Sequence, residues 1–182
     1  GFDYYKVLPG QGLYHDPYFK TVENWEDGYY GGKKEKGFSA DIIGDSSIEW
    51  LNNISRDKPF FMMTHFKATH ESFDYPERHN DLNKDVVFPE PQSLYEFDSK
   101  KSGRKHIGQI VENLTERWLN DTSKNINRYP GMPFTLNTEN KKKIRSITYQ
   151  KFVRDFIRSG ASIDDNIVKL LDYLEKENLI EN

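Results

Sequence analysis

The clearest hydrophobic period in the chain begins at Ser39. Ile43, Ser47, Trp50, Leu51 and Ile54 follow mostly at spacings of three and four, which puts them on one face of a helix. Ser39 is placed as the N-cap, with Asp41 in the first turn. The segment 55–59, ending in Pro59, closes that helix. Residues 60–64 then form a short apolar run with no polar alternation, the pattern of a strand buried on both faces of a parallel sheet. Helix, short loop and buried strand make an α/β unit.

The rest of the chain is less regular. Residues 1–37 read as loop, with turn signals at Pro9-Gly10 and Gly31-Gly32. Residues 65–109 are interrupted by Pro76, Pro89 and Pro91, and a loop of that length is often functional. A short helix is expected over 111–118 and another loop over 125–133. From about Thr138 the pattern is helical again. Ile144, Ile147, Phe152, Phe156 and Ile157 share a face, and beyond Gly160 so do Ile163, Ile167, Leu170, Leu171 and Leu174. A strand is the next element such an alternation predicts, just past Asn182. Asp164 and Asp165 then fall near the start of the last helix, where negative charge suits the helix dipole.

Composition narrows the function classes. The net charge is -3, from 26 basic and 29 acidic residues, without the basic excess that nucleic-acid binding needs. The longest apolar run, residues 60–63, is far short of the roughly 20 residues that cross a bilayer. There is no cysteine, so no disulfide, thiolate metal site or cysteine nucleophile is built from these residues. Gly1 is not a start methionine, and an upstream part is expected to be missing.

Candidate chemistry concentrates in His65-Phe66-Lys67-Ala68-Thr69-His70, directly after the predicted strand. Open α/β sheets bind ligands beyond the carboxyl ends of their strands. There a lysine supplies fixed positive charge, and an imidazole contacts an ester oxygen and protonates a leaving alkoxide. Position alone favours a plainer reading, in which these are partly exposed loop histidines. Other patterns carry less. His70-Glu71 opens like the zinc motif H-E-x-x-H, but position 74 is Asp. Gly28, Gly31, Gly32 and Gly37 lack the phosphate-loop pattern and suit a solvated hairpin or loop tip. Lys141-Lys142-Lys143 with Arg145, and the basic run at positions 100–105, read as solvated faces. Three sequons, at Asn53, Asn113 and Asn120, matter only in a secreting eukaryote.

Several stretches, in order, resemble bacterial sulfatases of the alkaline-phosphatase superfamily. Gly1-Phe2-Asp3-Tyr4-Tyr5 and Val7-Leu8-Pro9-Gly10-Gln11-Gly12 are similar to the family segments G-F-D-Y-W and V-L-P-G-Q-G. Lys58-Pro59-Phe60-Phe61, then Lys67-Ala68-Thr69-His70, are similar to K-P-F-F and K-A-P-H or K-A-T-H. Tyr149-Gln150-Lys151-Phe152 and the segment 161–167 resemble the long helix before the family's last catalytic strand. The resemblance implies an alkaline-phosphatase-like α/β domain, a central sheet flanked by helices, of which residues 1–182 are an incomplete internal part. It implies hydrolysis of sulfuric esters by a formylglycine nucleophile beside a calcium ion. It also implies sulfated small molecules or polysaccharides as partners, and a periplasmic or secreted location.

Residue by residue, the resemblance carries sulfate contact and proton donation to His70, and anion binding, less firmly, to Lys67. Glu71, Tyr75 and Arg78 are added as pocket residues on loop position alone. The departures are equally specific. The C/S-x-P/A-x-R motif that gives rise to formylglycine is absent, as are the aspartate pair expected upstream and the D-[QH]-G or D-N-G element expected after Asn182. The chain by itself is therefore expected to be inactive. A phosphodiesterase or phosphonate-type hydrolase of the same superfamily is the alternative, as is a degenerate homologue acting as a binding module.

Overall fold

The computed structural model describes residues 1–28, 31–96, 111–120 and 130–180. They divide into two compact units, Gly1–Glu71 with Ser159–Asn182, and Ser72–Arg158. The expected loop at 125–133 and the basic run at 100–105 lie largely or wholly outside the described residues.

In the first unit, residues 1–37 contain more order than their turn signals predict. Strands β1 (Tyr18–Phe19) and β2 (Lys33–Lys34) pair antiparallel, with Tyr18 opposite Lys34 and Phe19 opposite Lys33. Val7 and Lys20 exchange two backbone hydrogen bonds of 2.9 and 2.8 Å, which ties the opening segment to the end of β1. The glycine-rich stretch is thus a hairpin, as its composition suggests. Gly32 has φ +118°, and a Cβ there would stand 2.5 Å from the Phe19 carbonyl oxygen.

Helix α1 spans Ser39–Asn53. Its N-cap is Phe38, one residue earlier than predicted, and no side chain caps it. The amide of Ser39 instead donates to the carbonyl of Tyr14 at 2.7 Å, so an upstream loop satisfies this amide at the helix start. The buried residues of α1 are Ser39, Ala40, Gly44, Ser46 and Leu51. Of the predicted apolar stripe only Leu51 is fully buried.

The second helical stretch is one element, α3, running Lys141–Lys176 through Gly160 without a break. A glycine inside a helix costs only about 1 kcal/mol, which the packing of a long helix overcomes. Asp164 and Asp165 therefore sit in a helix interior, exposed, and the helix-start account of them does not hold. The division between the two units falls within this helix, after Arg158.

From Ser159 onward α3 lies alongside α1. Asn166 Nδ2 donates to Asp41 Oδ1 at 2.8 Å, Lys169 pairs with Asp45, and Tyr173 donates to Asn52 at 2.8 Å. Residue numbers rise together along both helices, so they run parallel, as helices flanking a parallel sheet do. The residues α3 buries here are Ser159, Ser162, Asn166 and Leu170, a polar and small-residue face. Ile167 and Leu171, from the predicted stripe, are left exposed.

The buried strand expected at 60–64 does not form. These residues make no ladder, and Phe61 is 74% exposed. A strand buried on both faces needs a neighbour on each side, and the sheet described here consists of β1 and β2 alone.

In the second unit, helix α2 (Val111–Asn120) extends the predicted short helix by two residues. Its Leu114 and Trp118 form a core with Phe73, against which Met132, Phe134 and Phe152 pack. The irregular stretch before it is held by side chains from the first part of α3. Gln150 accepts the amide of Phe88 and donates to its carbonyl, both at 2.9 Å, as a neighbouring strand would. Arg154 donates to the carbonyls of Asn83 and Val86, and Arg158 to that of Leu82. Among the described residues no helix is long and apolar enough to cross a membrane.

Candidate functional site

Lys67-Ala68-Thr69-His70 forms a turn in the first unit. The His70 amide donates to the Lys67 carbonyl at 3.0 Å, and the peptide between Ala68 and Thr69 is cis. A turn closed between its first and fourth residues brings the lysine and the histidine to neighbouring positions. The spacing of three in K-x-x-H thereby acquires a geometric reason.

His70 is exposed, and its ring is oriented by the chain. Nδ1 lies 2.6 Å from the carbonyl oxygen of Glu71. A carbonyl only accepts, so Nδ1 carries a hydrogen in both the neutral and the charged imidazole. The proton that can be exchanged is then the one on Nε2. Glu71 enters the site through its main chain.

Lys67 is half-buried. Its Nζ donates to the carbonyl of Gln11 at 2.8 Å and stands 4.9 Å from the ring centre of Tyr14. The Gln11 carbonyl is presented by a turn in which the Gly12 amide donates to the Pro9 carbonyl at 3.0 Å. Gly12 has φ +64°, and a Cβ there would press on the Leu8 side chain at 2.9 Å. The V-L-P-G-Q-G stretch is thus part of the site's scaffold. Tyr14 completes it: its hydroxyl donates to the carbonyl of His70 at 2.5 Å. Neither Gln11 nor Tyr14 is legible as a site residue from pattern, because one acts through its backbone and the other from a buried ring.

A cavity of about 580 Å³ opens beside the turn. Gln11, His65, Lys67 and His70 line it together with apolar side chains such as Ile43 and Trp50. Ser47 of α1 bonds Thr64 at its wall at 3.1 Å, which ties the segment before the turn to the helix.

The remaining pocket candidates belong to the second unit. Tyr75 is 1% exposed, and its hydroxyl donates to Asn80 at 3.2 Å and accepts from Arg158 at 2.8 Å. Burial raises its pKa, with the Asp155 carboxylate adding to the effect and Arg158 opposing it. That is a packed core tyrosine with no surface to offer a ligand. Arg78 is exposed in a short helical turn, Glu77–His79.

No three His, Asp or Glu side chains come together to hold a metal among the described residues. With no cysteine and no C/S-x-P/A-x-R motif in the sequence, no formylglycine precursor is present, and the described residues do not fit a calcium site.

The family model described as Sulfatase matches residues 1–182. The chain is similar to an N-acetylglucosamine-6-O-sulfatase of Bacteroides thetaiotaomicron, at 32% identity over 215 residues, taking in all of this chain and 37% of that protein. It is also similar to a solved structure described as a complex with its substrate D-glucosamine-2-N,6-O-disulfate. There the TM-score is 0.74 at 27% identity, over 96% of this chain and 41% of the other. The chain thus spans well under half the length of either relative. Its fold is the corresponding part of an alkaline-phosphatase-like α/β domain, with the central sheet incomplete.

Proposed function

Because the chain belongs to the sulfatase family, we propose that it forms one wall of the active site of an enzyme that hydrolyses sulfuric esters, with His70 as its proton donor and Lys67 as its anion ligand. The observation that carries this reading is the turn that closes Lys67 onto His70 while the Glu71 carbonyl fixes the imidazole by Nδ1. As the sulfuryl group passes to a nucleophile that the rest of the full-length protein would supply, the sulfur–oxygen bond of the ester breaks and the leaving oxygen gains negative charge. A charged His70 gives its Nε2 proton to that oxygen, releases the free alcohol, and keeps its Nδ1 hydrogen bond throughout. Lys67 offsets the charge of the sulfate group.

Sulfated amino sugars are the proposed substrate class, since both relatives are described by such compounds. Glu71 and the exposed Arg78 are proposed as further contacts to the sugar. Family resemblance brings formylglycine as nucleophile and calcium as sulfate anchor. The sequence holds no formylglycine motif and the described residues no metal cluster, so none of its steps is routed through them, and the 182-residue chain alone is predicted to release no sulfate.

The test is turnover of the full-length protein carrying this sequence. His70→Ala is expected to lower kcat by about 10²–10⁴-fold on sugar sulfates, whose leaving group needs a proton. The loss should be much smaller on an aryl sulfate with an acidic phenol. Equal turnover by wild type and variant on both substrates would remove His70 from the mechanism.

A further inference from the structure

Tyr14 is the residue around which the Lys67–His70 turn is organised. It is 3% exposed and anchored on two sides. Its carbonyl accepts the amide of Ser39, the first residue of α1, at 2.7 Å. Its ring stacks on Phe38, the N-cap of the same helix, with centroids 5.8 Å apart and planes inclined by 25°. Ala40 completes that buried cluster, and Phe66, just before the turn, and Ala68, within it, pack against it.

From this anchored position Tyr14 meets both ends of the turn. Its ring lies under the Lys67 ammonium at 4.9 Å, within the range of a cation–π contact. Its hydroxyl donates to the His70 carbonyl. The main chain of His70 is then held at both its polar groups, the amide by Lys67 and the carbonyl by Tyr14, while Glu71 holds the ring. Of those three restraints, the tyrosine hydroxyl is the one supplied from a distant part of the chain.

Resting on the sulfate-ester reading above, we propose that Tyr14 is a positioning residue for catalysis. It sets the direction of the His70 imidazole through the His70 carbonyl and the reach of Lys67 through its ring. The start of α1 is the rigid body that fixes both. Tyr14 touches no reacting atom in this account. Its contribution reaches the ester only through His70 and Lys67.

The two contacts separate by substitution in the full-length protein. Tyr14→Phe keeps the ring under Lys67 and removes only the hydrogen bond. Loss of one buried hydrogen bond predicts a fall in kcat of about tenfold on a sugar sulfate. On an aryl sulfate with an acidic leaving group, kcat should change little, because His70 is needed less there. Tyr14→Leu removes the ring as well and should add a rise in KM. In a His70→Ala background, Tyr14→Phe should cost nothing further, since the group it positions is gone. Rates are normalised to folded enzyme, so a purely structural tyrosine would show lowered stability with equal kcat on both substrates, and that result overturns the proposal. So would a full Tyr14→Phe loss persisting in the His70→Ala background. If His70→Ala itself leaves turnover unchanged, the sulfate-ester reading fails first, and Tyr14 has nothing to position.

Discussion

Gly44 shows how a single position can be fixed by a neighbour 122 residues away. A Cβ at Gly44 would lie 2.3 Å from Asn166 Oδ1 and 2.9 Å from its Cγ. Asn166 has little freedom to yield, because it is 3% exposed and its Nδ2 donates to both Asp41 Oδ1 and the Ser162 carbonyl. In an exposed helix, glycine to alanine would gain about 1 kcal/mol. Here overpacking reverses the sign, and Gly44→Ala is predicted to destabilise the full-length protein by about 1–3 kcal/mol. Asn166→Ala makes room for the methyl, so in that background the same substitution should become neutral or stabilising. Urea midpoints of the four proteins in this cycle measure the coupling. Additive costs would show that the two helices do not meet at this point. Nothing in the sequence around Gly44 announces the contact. A glycine in a helical pattern reads as a weak position until the packed partner is known. His70 is the contrasting case: its place in K-x-x-H makes the histidine a candidate from sequence, while its hydrogen-bond partner, a carbonyl, has no residue type to read.

At the scale of elements, α1, α2 and α3 could be anticipated from their apolar periods, but the faces they bury could not. In α3 the sequence advertises isoleucines and leucines, yet within the first unit the helix buries Ser159, Ser162 and Asn166 alongside Leu170. Close approach of two helices selects small and hydrogen-bonding residues, whose pattern is invisible to a hydrophobic count. In the second unit the same helix buries charge. Lys151 pairs with Asp155 one turn on, donates to the Gly131 carbonyl at 3.0 Å, and lies 4.7 Å from the ring centre of Trp118. Burial lowers the Lys151 pKa below its ordinary 10.5, and the Asp155 carboxylate only partly offsets it. The unfolded chain therefore binds the lysine proton more tightly than the folded one. Stability should rise as pH climbs through the lowered pKa toward 10.5, relative to a Lys151→Met, Asp155→Leu double variant that lacks both charges. Near neutral pH, Lys151→Met alone leaves Asp155 buried without its cation and is predicted to cost about 3–5 kcal/mol. The double variant should recover most of that. Denaturant titrations at neutral pH and near pH 10 decide both points. A pH-independent difference between wild type and the double variant would mean that Lys151 titrates as it does in the unfolded chain.

For the whole molecule, the telling segment is residues 60–64. Their apolar run predicts a strand buried on two faces, and the residues around it behave as that strand requires. Helix α1 bonds Thr64 through Ser47 and packs Trp50 on Phe60, and the K-x-x-H turn follows directly. The strand itself is missing, with Phe61 74% and Met63 54% exposed. Strand pairing is non-local, so a sequence pattern specifies a buried strand without supplying the strands that bury it. The relatives this chain matches are more than twice its length, covered to 37% and 41%. In the full-length protein, further strands are expected to pair with 60–64, burying Phe61 and fixing the base of the Lys67–His70 turn. Phe61→Ala should then destabilise that protein by about 3–5 kcal/mol, as for a core phenylalanine. Val22, 77% exposed in a surface turn, provides the comparison. Val22→Ala should stay within about 0.5 kcal/mol, as surface substitutions do. With such a strand at the base of the turn, Phe61→Ala should also lower kcat on a sugar sulfate more than on an activated aryl sulfate, in the same sense as Tyr14→Phe. If Phe61→Ala costs no more stability than Val22→Ala, the segment is a surface loop in the full-length protein, and the turn takes its rigidity from Tyr14 and α1 alone.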